Sequence, residues 1–355
     1  MPAIHNAVIY AIMNAVMNTG LETGHDAGRA AVRHAVLATA PNAVVLATLT
    51  SIVTCKEHPM AIPRSIAVAQ GKGGVGKTSV TSNVAGLAAA TGAHVLVVDL
   101  DPQGNVSRDL GYTPQTGDAL SIALQQGSTP PVIRDVRPNL DVVAGGPALG
   151  DLGGIALARA QRGAGTLASM LQASLSHIAD DYDLILVDTP PGDRAIVEAV
   201  LATVSSVVIP TRSDDASIDG VERVAERFLA VRELNSELVL LGVILFAVST
   251  RSARVERKVR TSLEELLGDS APVFETTIRH LESAAVDARQ RGLLVHELEK
   301  AGVEDKRQRL AALKQGKAPV EGLYARNTSG LAEDYSSLTR EILLAMRRHA
   351  DAVLA

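Results

Sequence analysis

One cysteine, Cys55, is all the thiol chemistry that 355 residues contain. A single thiol closes no internal disulfide and cannot hold a metal ion or an iron–sulfur cluster alone, so the chain fits a reducing compartment and carries no redox centre. A positive charge balance is missing as well. With a formal net charge of −5 and a pI near 6.0, the protein does not coat nucleic acid through its overall charge, and any such contact must come from a local basic patch. Long apolar runs are also absent. "AVIYAIMNAVM" and "AVVLATLTSIV", near the N-terminus, fall short of the roughly 20 residues that span a bilayer, and no basic signal-peptide region precedes them. These absences predict a soluble, cytoplasmic protein, and an apolar fraction of 46% is enough to build its core.

What is present changes character along the chain. Residues 1–59 are rich in Ala and Asn and contain His, with helical spacing at Ile4, Val8, Ile12 and Val16. From Ser65 onward, short β-branched runs alternate with helical stretches. The predicted strands are "SIAVAQ" (65–70), "HVLVVDL" (94–100), "NLDVVAG" (139–145), "DLILVD" (183–188), "SSVVIP" (205–210) and "VLLGVILFAV" (239–248). Runs that are apolar at every position belong to strands covered on both faces, as in a parallel sheet. The segments 78–91 and 218–234 are long enough to be crossover helices. The pattern predicts an α/β fold, a doubly wound, mostly parallel sheet flanked by helices over about residues 62–300. A closing helix is expected over 331–354, with Leu331, Tyr335, Leu338, Ile342 and Met346 on one face, and a helix and surface loop over 299–330. The chain thus divides into an extension, 1–59, helical or poorly ordered, and one domain, 60–355.

The segment Gly71-Lys72-Gly73-Gly74-Val75-Gly76-Lys77-Thr78 satisfies G-x-x-x-x-G-K-[ST] between a predicted strand and a predicted helix, and Ser79 follows it. Glycines let backbone N–H groups curl around a polyphosphate, and the helix presents the positive end of its dipole to the same anion. Lys77 is expected to bridge the β- and γ-phosphates, and the Thr78 hydroxyl to ligate Mg²⁺. A carboxylate at the end of a neighbouring strand completes such a site, and "DLILVDTPPG" offers Asp188. "VVDLDPQGN" ends another strand with Asp99 and Asp101 on one face; one of them positions the attacking water, or both cap the loop.

These motifs together resemble the ParA/MinD family of deviant Walker A ATPases, most closely its ParA/Soj partition branch. The resemblance runs from about Ile62 to the C-terminus and rests on "KGGVGKTS" (72–79), "VVDLDPQGNVSRDLG" (97–111), "DYDLILVDTPPG" (181–192) and "VVIPTRSDDASIDGVERV" (207–224). It implies a P-loop NTPase fold and slow, partner-stimulated hydrolysis of ATP with Mg²⁺. By the same resemblance Lys72 is the signature lysine that crosses a homodimer interface to the partner's phosphates. Asp101 is the hydrolytic aspartate, able to reach the metal site, and Asp188 the Walker B aspartate. Gly73 stands where close approach of two subunits tolerates only a small residue. Two nucleotides face to face concentrate negative charge, which a lysine from each side offsets as an arginine finger would.

Members of this family bind DNA nonspecifically as ATP dimers on the nucleoid, and a ParB-type centromere-binding partner releases them. The resemblance therefore implies a basic surface. "STRSARVERKVRTS" (249–262) supplies Arg251, Arg254, Arg257 and Lys258, beside a helix face of Val255, Val259, Leu263 and Leu266. "TIRHLESAAVDARQRG" adds Arg279, Arg289 and Arg291, in a stretch that corresponds loosely to a family region linked to DNA and nucleotide contact, but without the family's "IPRN" and "SEAP" patterns. The extension reads as an upstream start before Met60-Ala61, as an operator-binding segment, or as a dimerisation helix. A MinD-like membrane regulator and a nucleoid-bound positioner of protein cargo are the alternative functions. The C-terminal "LTREILLAMRRHADAVLA" has no Phe or Trp anchor for a membrane. A nitrogenase-type iron protein fails because Cys55 lies outside the domain.

Overall fold

The computed structural model describes residues 61–212, 215–249, 253–268, 271–315 and 328–354. Strands β1 (Ile62–Val68), β2 (Val95–Asp99), β3 (Ile133–Arg137), β4 (Leu140–Val143), β5 (Leu184–Asp188), β6 (Val204–Thr211), β7 (Val239–Val248) and β8 (Ile278–Arg279) form one eight-stranded sheet in the order 3-4-2-5-1-6-7-8. All neighbours are parallel except β3 and β4. Strand order reverses beside the central β1, so a crevice opens at the carboxyl ends of β1, β2 and β5.

Period-2 alternation sorts the side chains of these buried strands to two apolar layers. Ile66 and Val68 of β1, Val95 and Val97 of β2, and Leu184 and Leu186 of β5 join one cluster. Ala67, Leu96, Val98, Ile185 and Val187 join the other. The first layer is covered by α1 (Lys77–Ala89), α9 (Glu282–Arg291), α10 (Val295–Lys314) and α11 (Ser329–Leu354). The second is covered by α3 (Asp118–Gln126), α5 (Leu167–Ser176), α6 (Arg194–Leu201), α7 (Asp215–Val231) and α8 (Ala253–Leu267). The short α2 (Val106–Leu110) follows β2, and α4 (Leu152–Gln161) precedes α5. Helix α1 is buried on nearly all sides, which its run of Val, Ala, Gly, Ser and Thr permits by bringing little bulk. Leu331, Tyr335, Leu338 and Ile342 of α11 are buried in the same layer, with Met346 packed at its edge.

The doubly wound, mostly parallel sheet expected from the alternation is the architecture observed, with differences that have local causes. β1 starts at Ile62 rather than Ser65, because its pairing with β6 shifts register between Ile62 and Ile66 where Arg64 takes φ 53°. β3 is an antiparallel edge strand whose sequence, IRDVR, carries too much charge to read as a buried run. β8 spans only two residues. On α8 the core row is Val259, Leu263 and Leu267, a strict four-residue step, whereas the expected Val255 and Leu266 are exposed. The extension, residues 1–59, and its helical spacing lie outside the described residues, as do most of the expected loop within 299–330 and Arg251.

Two helix ends meet near the crevice. Gly111 caps α2 at φ 67° and Gly292 caps α9 at φ 61°, both in the left-handed region. A Cβ on Gly292 would lie 2.4 Å from the Gly111 Cα. Arg137 fastens the pair: its guanidinium donates to the carbonyls of Leu110 at 2.9 Å and Gly292 at 2.8 Å, and forks onto Glu297 at 2.6 and 3.0 Å. Substituting Gly292→Ala combines left-handed backbone strain with this collision, and we expect it to lower the free energy of unfolding by at least about 2 kcal/mol in urea titrations, whereas an exposed Gly163→Ala, left-handed but uncrowded, loses only the smaller backbone share.

Candidate functional site

Between β1 and α1 the chain turns through the glycine loop. Gln70 is fully buried; its side-chain carbonyl accepts from the Gly71 N–H at 2.7 Å and its amide donates to Pro210 at 3.4 Å, tying the loop's entrance to β6. Gly76 is the N-cap of α1 at φ 91° and has no side chain with which to cap the first-turn amides. A Cβ there would also strike the Phe246 ring, about 2.4 Å away, so backbone and packing both demand glycine. An uncapped helix start beneath a glycine loop is a ready anion site. Gly73 is different. It is exposed, has no positive φ, and a Cβ on it would meet only Pro191 at an ordinary 3.9 Å, so nothing among the described residues requires glycine there.

Lys77, Thr78 and Asp188 come together under this loop. The Thr78 hydroxyl donates to Asp188 Oδ2 at 2.7 Å, the Thr81 hydroxyl approaches Oδ1 at 3.4 Å, and the Lys77 ammonium donates to the Lys72 carbonyl at 3.3 Å. Burial lowers the Lys77 pKa, opposed by the negative charges of Asp188 and Asp101. Burial pushes Asp188 up to about 7; the Thr78 hydroxyl and the Lys77 charge oppose the rise, and Asp101 and Asp109 add to it. A hydroxyl and a carboxylate are hard oxygen donors of the kind Mg²⁺ takes, and a cation there would hold the buried Asp188 ionised, so the donor set fits the ion.

Asp99 and Asp101 divide the work of their shared strand face. Asp99 stands opposite Asp188 in the β2–β5 register, fully buried, and its oxygens accept the Asp101 N–H at 2.9 Å and the Val106 N–H at 3.3 Å. Burial, then the neighbouring Asp188, holds Asp99 well above the usual carboxylate range. It braces the turn. Asp101 faces a cavity of about 340 Å³ whose wall includes Gly73, Gly74, Gly76, Lys77, Thr78 and Ser79. Among the described residues the same cavity is lined by Gln103, Asn105, Arg108, Asp109 and Pro191, which sequence reasoning passed over. The signal existed: 105, 108 and 109 share one face of a helix that starts after "DPQG".

The expected basic residues separate. Arg254, Arg257 and Lys258 are exposed on α8. Arg279 is instead forked onto Asp334 of α11, with both contacts at 2.7 Å, and Arg289 sits at the cavity, 3.6 Å from Asp109. Neither stands in a row with the α8 residues: "TIRHLESAAVDARQRG" threads β8 and α9 back toward the glycine loop.

Comparison with known proteins gives a consistent picture. Residues 63–240 match the family model described as AAA domain. The chromosome partitioning protein ParA of Caulobacter vibrioides is 29% identical over 246 residues, 67% of this chain and 89% of that protein. The chromosome-partitioning ATPase Soj of Thermus thermophilus is 35% identical over 217 residues, 61% of this chain and 80% of that protein. Among solved structures, the ATP complex of Cyanothece McdA aligns with a TM-score of 0.62 at 19% identity, covering 80% of this chain and 97% of that one, which is a likeness of fold.

The buried carboxylate gives a pH test. Asp188 ionises near 7 in the fold against 3.8 as the unperturbed value, so the stability that its neutral form contributes is complete below about pH 4 and lost as pH rises through 7. Asp188→Asn removes that dependence. In chelator-treated protein its melting temperature should exceed wild type by about 3 °C more near pH 8 than near pH 5, measured by scanning calorimetry.

Proposed function

The chain belongs to the AAA-domain family as a ParA/Soj-type ATPase, and on that premise we propose that it partitions DNA as an ATP-dependent dimer. The observation that carries this reading is the single cavity in which the glycine loop, Lys77, Thr78 and Asp101 face one another. In it, Lys77 offsets the charge of the β- and γ-phosphates, and the loop amides and α1 N-terminus hold their oxygens. Thr78 and Asp188 would hold Mg²⁺, which supplies charge neutralisation at the phosphates when bound. Asp101 accepts a hydrogen bond from the water that attacks the γ-phosphorus, and ATP and water leave as ADP and phosphate.

Dimerisation is supported by Gly73. An exposed glycine without backbone or packing need among the described residues suits a position that a second subunit approaches, and Lys72 beside it is proposed to reach that subunit's nucleotide. The ATP dimer then binds duplex DNA nonspecifically through the α8 residues Arg254, Arg257 and Lys258, joined by Arg251, and a ParB-type partner triggers hydrolysis and release. The proposed location is the nucleoid within the cytoplasm. A MinD-like membrane role is less favoured: the apolar row of α11 is spent on the core, and among the described residues no helix is long and apolar enough to cross a membrane.

Two measurements test the reading. Lys77→Ala should abolish ATP binding in equilibrium dialysis, while Lys72→Ala keeps it within about tenfold yet loses ATP-dependent dimerisation and stimulated turnover; equal loss of affinity in both contradicts the division of labour. Duplex DNA binding should require ATP and fall steeply with salt, and replacing Arg254, Arg257 and Lys258 with Ala should flatten the log–log salt slope by roughly 2 to 3. Binding of ATP with no DNA affinity at low salt would refute the partition role.

A further inference from the structure

The nucleotide reading leaves one ion pair at the cavity unused. Asp109, on α2, and Arg289, on α9, face each other across 3.6 Å, the carboxylate side chain only 9% exposed and the guanidinium 57%. Both elements are held from behind by the Gly111–Gly292 contact and the Arg137 fork, so their carboxyl ends are fixed relative to each other. The Ser79 hydroxyl, from the first turn of α1, also favours the ionised form of Asp109. Three elements that do not adjoin in sequence thus converge on one buried carboxylate.

Position gives the pair a meaning. A second cavity, of about 180 Å³, adjoins the first; its wall is largely apolar, with Phe246, Leu281, Ala285 and Leu293, and the two cavities share Gly74, Ser79, Asp109 and Arg289. A nucleotide whose terminal phosphates sit in the glycine loop and whose base enters the apolar cavity must cross this boundary with its sugar and the phosphate next to it. A half-exposed guanidinium at that crossing meets an anion. Burial raises Asp109 to about 6, and the Arg289 charge is the largest influence opposing that rise, so at neutral pH the carboxylate is ionised and keeps the guanidinium in place.

We propose that Arg289 is a nucleotide-binding residue of its own subunit, contacting the phosphate adjacent to the sugar, and that Asp109 is the positioning residue that aims it. The assignment rests on the cavity being an ATP site. It moves Arg289 from the DNA surface to the nucleotide, and gives α9 a direct tie to nucleotide occupancy.

The test is a set of calorimetric titrations of ATP and ADP into the full chain, with DNA binding measured in parallel. Arg289→Ala should weaken ATP and ADP alike by roughly tenfold or more, since both carry the proximal phosphate, and Arg289→Lys should recover part of the loss. Asp109→Asn should weaken both nucleotides several-fold in the Arg289 background and have no effect in the Arg289→Ala background, a non-additivity that mere loss of packing would not produce. Melting curves of the nucleotide-free variants identify any that fail to fold, and the Arg289→Lys and Arg289→Ala pair decides the case if Asp109→Asn is among them. Wild type that binds no ATP overturns the underlying ATP reading. Wild type that binds ATP together with an Arg289→Ala variant of unchanged affinity overturns this proposal alone, and loss of DNA affinity with nucleotide affinity intact would return Arg289 to the DNA surface.

Discussion

Asp99 and Asp188 end neighbouring parallel strands in the same register, so two carboxylates lie side by side in a fully buried layer. Like charges in such a place cannot both persist, and the conflict organises everything around it. Burial and the neighbouring Asp188 hold Asp99 well above the usual carboxylate range, and it turns its oxygens to the backbone of the next loop. Asp188 keeps the better claim to charge because Thr78 and Lys77 reach it from the start of α1. The arrangement draws the glycine loop, the β2 turn and the end of β5 to a single point.

Much of this was legible in the residues, for physical reasons. A strand covered on both faces has no choice but to be apolar throughout, so "HVLVVDL" and "DLILVD" announced themselves and their terminal aspartates with them. The glycine loop was legible because few other conformations demand glycine so densely before a lysine. What failed to register was weaker in sequence. β3 is charged because it is an edge. The row on α8 was displaced because alternate spacings of three and four fit the same letters, and only contact with the sheet selects Leu267 over Leu266. Arginines carry the least information of all: Arg279 and Arg289 look alike in a basic stretch, yet one closes on Asp334 and the other on Asp109.

The site is also built from more of the chain than its motifs suggest. Arg137, on the far edge of the sheet, holds the carboxyl ends of α2 and α9, and through them the pair at the boundary between the two cavities. Motif residues line the cavity at the glycine loop, while residues with no motif shape the remainder of its wall. Substitutions on β3 or at the two capping glycines would therefore be felt at the two cavities although these residues do not line them.

Helix α11 lies against α1 in the same apolar layer, to which Leu338 and Ile342 contribute with Val80 and Val84. Nearly the whole described chain separates these two helices, and the ribosome makes them in that order. The glycine loop, among the first parts of the domain to emerge, must wait for one of the last to cover its helix. Until α11 is made, the nascent sheet therefore exposes the back of α1, and the layer that backs the glycine loop closes only after most of the domain has been synthesised.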